Sequence, residues 1–158
     1  YPLPEAQRDR FMTRITMGYP SRDSELEMLE RHGAHNPLDE LHPVTHGERI
    51  TELIDVVGSV YVADVVKDYL VNIVAATRSH DAVRLGASPR ASLHLIRTAR
   101  AKAALAGRDY VIPDDVQAMA IPVLAHRLLP STRAQLDGIS PVDIVSQILT
   151  STPVPEQV

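Results

Sequence analysis

Two groups of arginines are spaced so that they could act on phosphate. Arg90, His94 and Arg97 recur at steps of four and three, which sets them on one face of a helix. Arg90 would stand in the first turn, where the helix dipole adds partial positive charge. That combination describes an anion or phosphate site, although spacing alone favours a solvated basic face with no ligand. The second group is Arg8, Arg10 and Arg14, with Arg10 and Arg14 flanking Phe11. A guanidinium fixed at the end of an element stabilises charge in phosphoryl transfer when it is presented to another subunit. Taken alone, the three are also ordinary surface residues.

Charge along the chain is uneven. Residues 82–108 hold Arg84, Arg90, Arg97, Arg100, Lys102 and Arg108 and no acid. Within a net charge of −4, this +6 segment leaves −10 on the remainder. The overall balance argues against a general nucleic-acid binder, although a basic-helix binder remains an alternative reading. Cysteine is absent, which excludes a disulfide framework, a thiolate metal site and a cysteine nucleophile. Aromatic residues make up 4% of the chain, too few for base-stacking platforms. No apolar run is long enough to span a membrane.

Other chemistry finds little support. His32 with His35, and His42 with His46, have spacings compatible with zinc, but no H-E-x-x-H occurs and no metal site is expected. There is no G-x-S-x-G nucleophile elbow. Asp114-Asp115 reads as helix-terminal acids rather than a catalytic pair. Neither G-x-x-x-x-G-K-[ST] nor G-x-G-x-x-G is present, so the chain has no phosphate cradle of its own.

The elements that must position these residues are mostly helices. With 158 residues and 44% hydrophobic content, the chain can bury a core. Residues 11–17 alternate as a short strand that Gly18 and Pro20 end, yet no partner strand follows. The segment is expected either to pair with another chain or to lie as an irregular arm over the helices. Ser21 caps a helix over 22–31 with Leu26 and Leu29 on one face. Thr45 and Glu48 form a capping-box pattern before a helix through 56, with Ile50, Leu53, Ile54 and Val57 apolar. Over 62–78, Val62, Val65, Val66, Tyr69, Ile73 and Thr77 fall at helical spacing. Ser88-Pro89 starts an alanine-rich helix that stops at Gly107. Pro113-Asp114-Asp115 opens another, which Pro122 should kink or divide. Ser140-Pro141 starts the last, with Val142, Val145, Ile148 and Leu149 apolar, and the tail from Pro153 is expected to fray. The fold class is all-α, a five- or six-helix bundle preceded by a short strand.

Several of these segments resemble one family. Leu3-Pro4-Glu5-Ala6-Gln7-Arg8-Asp9-Arg10-Phe11 is similar to the L-P-E-A-Q-L-D-R-F of MoxR-type AAA+ ATPases, with Arg8 where leucine is usual. Leu85-Gly86-Ala87-Ser88-Pro89-Arg90-Ala91 resembles their G-A-S-P-R-A. Gly107-Arg108-Asp109-Tyr110-Val111 with Pro113-Asp114-Asp115-Val116 resembles G-R-x-Y-V-x-P-x-D-V, with Ile112 where a capping residue is common. Leu124-Ala125-His126-Arg127 resembles L-A-H-R, and Thr77-Arg78 also fits.

The resemblance implies a C-terminal fragment. Residues 1–20 would be the last helix and strand of the AAA+ core, 21–150 the helical lid and 151–158 a tail. It implies that Arg10 is an arginine finger acting in trans. It implies that Gly86, Ala87, Ser88, Pro89 and Arg90 form a nucleotide-binding turn with Arg90 as sensor 2. The full-length parent would use ATP and Mg2+, while the fragment would be inactive alone and hold no cofactor tightly. The parent would be a cytoplasmic, chaperone-like remodeller in a hexameric ring of neighbouring AAA+ subunits, with von Willebrand factor A-domain proteins as partners. A helical interaction module without catalysis is the other alternative.

Overall fold

The computed structural model describes residues 3–32 and 37–156. The chain divides into two units, Tyr1–Arg14 with Asp55–Val158, and Ile15–Ile54.

The smaller unit holds α2 (Arg22–His32), a 3₁₀ turn at Pro37–Glu40 and the start of α3 (Gly47–Ser59). Ser21 caps α2 as expected, its hydroxyl accepting from the Ser24 N–H at 3.2 Å. Helix α3 begins two residues after Thr45, which places His46 rather than Thr45 at the cap. The apolar positions expected to pack, Leu26 and Leu29 on α2 and Ile50, Leu53 and Ile54 on α3, are all exposed. His35 lies outside the described residues, as does the side chain of His32.

The larger unit is a helical bundle. It contains the single turn α1 (Glu5–Arg8), then α4 (Asp64–Ser79), α5 (Pro89–Leu105), α6 (Pro113–Leu124), α7 (Thr132–Leu136) and α8 (Pro141–Ser151). Two short antiparallel strands, β1 (Val83–Leu85) and β2 (Leu129–Pro130), join its loops, pairing Val83 with Pro130 and Leu85 with Leu129. Helix α5 packs chiefly on α6, and α4 and α8 close the core around them. On α5 the seam is Ala91, Leu95, Ala99 and Ala103, one residue per turn and all fully buried. The alanines let the facing helix approach closely enough for Val116, Ala120, Val123 and Leu124 to fill the space between.

Ile73, Leu95, Leu124, Ile144 and Ile148 are buried to 1% exposure or less. Each such side chain contributes about 1.5–3 kcal/mol. The surface ion pairs Arg31–Glu27, Arg49–Glu52 and Lys67–Asp64 are worth at most about 1 kcal/mol apiece. Packing therefore decides the fold. The α4 periodicity placed Val66, Tyr69, Ile73 and Thr77 correctly in the core. Val65 is instead half exposed, and Leu70 and Val74 are buried.

Residues 11–17 form no strand, and among the described residues no strand lies beside them to pair with their backbone groups. Phe11–Arg14 instead follows the irregular-arm alternative, with the Arg14 N–H donating to the Pro122 carbonyl at 2.9 Å. Helix α6 continues through Pro122, then gives way after Leu124 to a 3₁₀ turn at Ala125–Arg127. Helix α5 ends as expected, with Gly107 at φ +73°. Its last carbonyls accept from Gly107 and Arg108 in a Schellman arrangement. Asp115 supplies what Ile112 lacks. Its carboxylate accepts the Ile112 N–H at 3.0 Å and receives both Arg108 Nη atoms at 2.7 and 2.8 Å. The tail does not leave the bundle at once, since Pro155 is half-buried in a cleft of about 500 Å³ beside Tyr110 and Val111.

The turn before α5 packs closely on α4. A Cβ added at Gly86 would stand 2.6 Å from the Thr77 carbonyl oxygen and 2.8 Å from the Arg78 Cα. Both are backbone atoms at the end of α4 and cannot swing aside. Gly86→Ala is expected to lower stability to urea by about 1–3 kcal/mol. An unchanged denaturation midpoint would show that α4 and this turn can separate freely.

Candidate functional site

The turn Gly86-Ala87-Ser88 is held by two side chains of α4. Thr77, fully buried, donates to the Val74 carbonyl at 2.6 Å and accepts the Ala87 N–H at 3.0 Å. Arg78 Nε donates to the Ala87 carbonyl at 2.8 Å. Both backbone groups of Ala87 are thereby satisfied by side chains, which fixes the path of the chain into α5. Pro89 takes the first helical position, where its missing N–H costs nothing. Ser88 occupies the cap position by backbone geometry, but its hydroxyl does not cap the helix. It donates to the Asp9 carboxylate, 3.0 and 2.9 Å from the two oxygens.

Asp9 leads to the centre of the site. The side chain of Arg127 is only 1% exposed, and its Nε donates to Asp9 Oδ1 at 3.2 Å. Its Nη2 approaches the Phe11 carbonyl at 2.5 Å, the Asp9 carbonyl at 3.2 Å and His94 Nδ1 at 2.6 Å. Its Nη1 approaches the Met12 carbonyl at 3.3 Å, His126 Nε2 at 2.9 Å and the Val123 carbonyl. Burial pulls this guanidinium down from its ordinary value, and the Asp9 charge opposes the fall. Arginine stays a cation regardless. A buried cation with its partners removed would cost several kcal/mol, so residues 9–12 are bound where they are.

His94 fits as a neutral ring. His94 Nδ1 faces an Arg127 donor and must accept, which puts the proton on Nε2. His126 lies between two carbonyls, with Nδ1 3.1 Å from that of Pro122 and Nε2 3.1 Å from that of Phe11, and Arg127 Nη1 stands 2.9 Å from the same Nε2. Burial is the main reason that the pKa of His94 is lowered, with Arg127, Arg97 and Arg90 adding to it and Asp9 opposing. Burial also lowers His126, the Phe11 carbonyl opposing and Arg127 adding.

Within this frame the sequence-predicted residues divide cleanly. Gly86, Ala87, Ser88 and Pro89 form the fixed turn. Arg10 and Arg90 have exposed side chains that bond to no other described residue. Arg8 is half-buried, and its Nε lacks a partner among the described groups. The basic face expected on α5 is interrupted, because His94 turns into the bundle while Arg90 and Arg97 stay exposed. Among the described residues no three His, Asp or Glu side chains gather as a metal site. Nor is any described helix long and apolar enough to cross a membrane. The pairing of Asp9 with Arg127, 118 positions apart, carried no signal in spacing or composition. The L-A-H-R segment marked Arg127 only by resemblance.

The comparisons agree with this architecture. The AAA lid domain family matches residues 75–148. The uncharacterized protein YeaC of Bacillus subtilis (strain 168) is 44% identical over 157 residues, covering 99% of this chain and 49% of that protein. Chaperone MoxR1 of Mycobacterium tuberculosis is 39% identical over 165 residues, covering 99% of this chain and 43% of MoxR1. The chain belongs to the MoxR-type AAA+ family. A solved structure from Cytophaga hutchinsonii, described as a candidate ATPase, superposes with a TM-score of 0.90 at 32% identity. It covers 99% of this chain and 50% of that one. The chain thus spans about half the length of the relatives it matches, and its bundle is an AAA+ lid-like domain.

The two histidines give this lid an acid-sensitive stability. A free histidine titrates at about 6.5, and both are held lower in the folded state. As pH falls below that value the unfolded chain takes up protons that the folded chain refuses. Stability is therefore complete above about pH 6.5 and declines as pH falls toward the folded values. Thermal midpoints measured from pH 7.5 to 5 should fall. His94→Asn, which keeps an acceptor for Arg127 but does not titrate, should flatten part of the slope. An unaltered slope in this variant would show that His94 does not contribute.

Proposed function

We propose that this chain is the lid portion of a MoxR-type ATPase, with Arg10 as an arginine finger in trans and Arg90 as sensor 2 in cis. One observation carries the reading. Two arginines extend from backbone that a buried network fixes, and both keep exposed guanidinium groups that no other described residue binds. A cation presented this way has lost its backbone freedom in advance and retains its charge for a ligand, as electrostatic catalysis of phosphoryl transfer requires.

The residues suit a nucleotide. Arg90 stands in the first turn of a 17-residue helix, whose dipole adds to its attraction for phosphate. The turn Gly86–Pro89 brings it to the surface, and its charge would report whether phosphate is present in the same subunit. Arg10, two residues beyond the end of α1, would neutralise charge developing on the phosphoryl group in a neighbouring subunit's site. ATP and Mg2+ supply the reacting phosphate and its counter-charge when bound. Without a phosphate-cradle motif in these 158 residues, hydrolysis is proposed for the full-length protein.

The name of Chaperone MoxR1 supports a chaperone-like role in remodelling partner proteins. Family membership supports assembly into a ring, proposed as a hexamer, in which a finger in trans has a site to reach. Von Willebrand factor A-domain partners and a cytoplasmic location complete the proposal.

The test is ATP turnover by the full-length protein. Arg10→Ala should lose about 10³-fold or more in kcat while nucleotide still binds. Arg90→Ala should weaken nucleotide binding or lower turnover. Normal kinetics in both variants would remove both assignments and favour a non-catalytic interaction module.

A further inference from the structure

The finger segment and the nucleotide-reading turn are joined within this chain. The joint is the Asp9 carboxylate, which immediately precedes Arg10. It receives the Ser88 hydroxyl at 3.0 and 2.9 Å and Arg127 Nε at 3.2 Å. Ser88 lies two residues before Arg90, in a turn that Thr77 and Arg78 hold to α4. We infer that Asp9 and Ser88 are positioning residues that couple Arg10, facing the next subunit, to the turn that reads this subunit's own nucleotide. This inference rests on the proposed roles of Arg10 as the finger and Arg90 as sensor 2.

Three features favour coupling over simple anchoring. The Ser88 hydroxyl sits where it could cap α5, yet it is directed at Asp9 instead. Arg127 already binds the arm through the carbonyls of Asp9, Phe11 and Met12, so the arm does not depend on Ser88 to stay docked. The Ser88–Asp9 bond adds a direct link from the arm to the one turn that carries Arg90. Phosphate at Arg90 that moved Ser88 even slightly against the hold of Thr77 and Arg78 would pull on the residue adjoining Arg10. Turnover in the neighbouring site would then depend on occupancy of this one. A misplacement of about 1 Å in a catalytic group can cost on the order of 100-fold in rate, so a small movement suffices.

The experiment uses the full-length ring-forming protein and ATP, comparing Ser88→Ala, Ser88→Thr, Asp9→Asn and Arg10→Ala. Thermal midpoints establish that each variant is folded. Ser88→Ala and Asp9→Asn should lower kcat by about tenfold, with KM for ATP shifting by less than about threefold. Ser88→Thr keeps the hydroxyl and should return kcat to within about twofold of the parent. A purely structural role would lower the thermal midpoints in step with kcat, whereas coupling lowers kcat in variants whose midpoints stay near the parent's. If Arg10→Ala abolishes turnover while Ser88→Ala and Asp9→Asn keep the parent kcat, the coupling is wrong and the finger assignment stands. If Arg10→Ala turns over normally, the finger assignment itself fails and the coupling with it.

Discussion

A single cation, Arg127, organises the larger unit of this chain. It lies in the bundle at 1% side-chain exposure with one carboxylate near it, and that carboxylate belongs to the arm. Burying a guanidinium is costly unless its N–H groups find acceptors. Here the groups around it are Asp9, three arm carbonyls, the Val123 carbonyl and the rings of His94 and His126. Most of them come from residues 9–12, which have neither a helix nor a sheet to hold them. The arm is ordered because the bundle contains a charge that only the arm can satisfy.

Around that centre the other devices are local. Thr77 and Arg78 fix Ala87 by its two backbone groups, and Gly86 lets the turn touch α4. Asp115 ties the start of α6 to Arg108 just beyond the end of α5. Burial pushes the Asp115 carboxyl up, but its bonds from Arg108 and the Ile112 N–H outweigh that and leave it below the usual range. Each device holds backbone at the edge of a helix, while Arg10 and Arg90 bond to no other described residue. Rigidity in the frame and freedom in the charged heads are the arrangement on which the functional reading rests.

Much of the bundle was legible in the sequence because its signals are short-range. Ser88-Pro89, Gly107, Pro113 and Ser140-Pro141 each state a helix boundary, and the structure places the helices there. Periodicity located most of the α4 core but missed Leu70 and Val74, since their face is wider than a single stripe. The alternation over 11–17 misled, because alternation describes side chains while a strand needs a partner for its backbone. The brief strands Val83–Leu85 and Leu129–Pro130 were not visible, being too short to show a period. The segments carrying Arg10 and Arg90 could be marked by resemblance. Their meeting through Asp9 and Ser88 could not, because a hydrogen bond across 79 positions leaves no local trace.

That long sequence separation also orders events in time. Contacts among α4, α5 and α6 close short loops, whereas Asp9 reaches Arg127 only by closing 118 positions of chain. The entropy of closure rises with loop length, and its acceptors have nothing to bind until α5, α6 and the turn after them exist. Docking of the arm therefore comes late in folding, onto a bundle already formed. By the same reasoning the arm is the first part of this unit to detach, through a local opening that costs less than unfolding the helices.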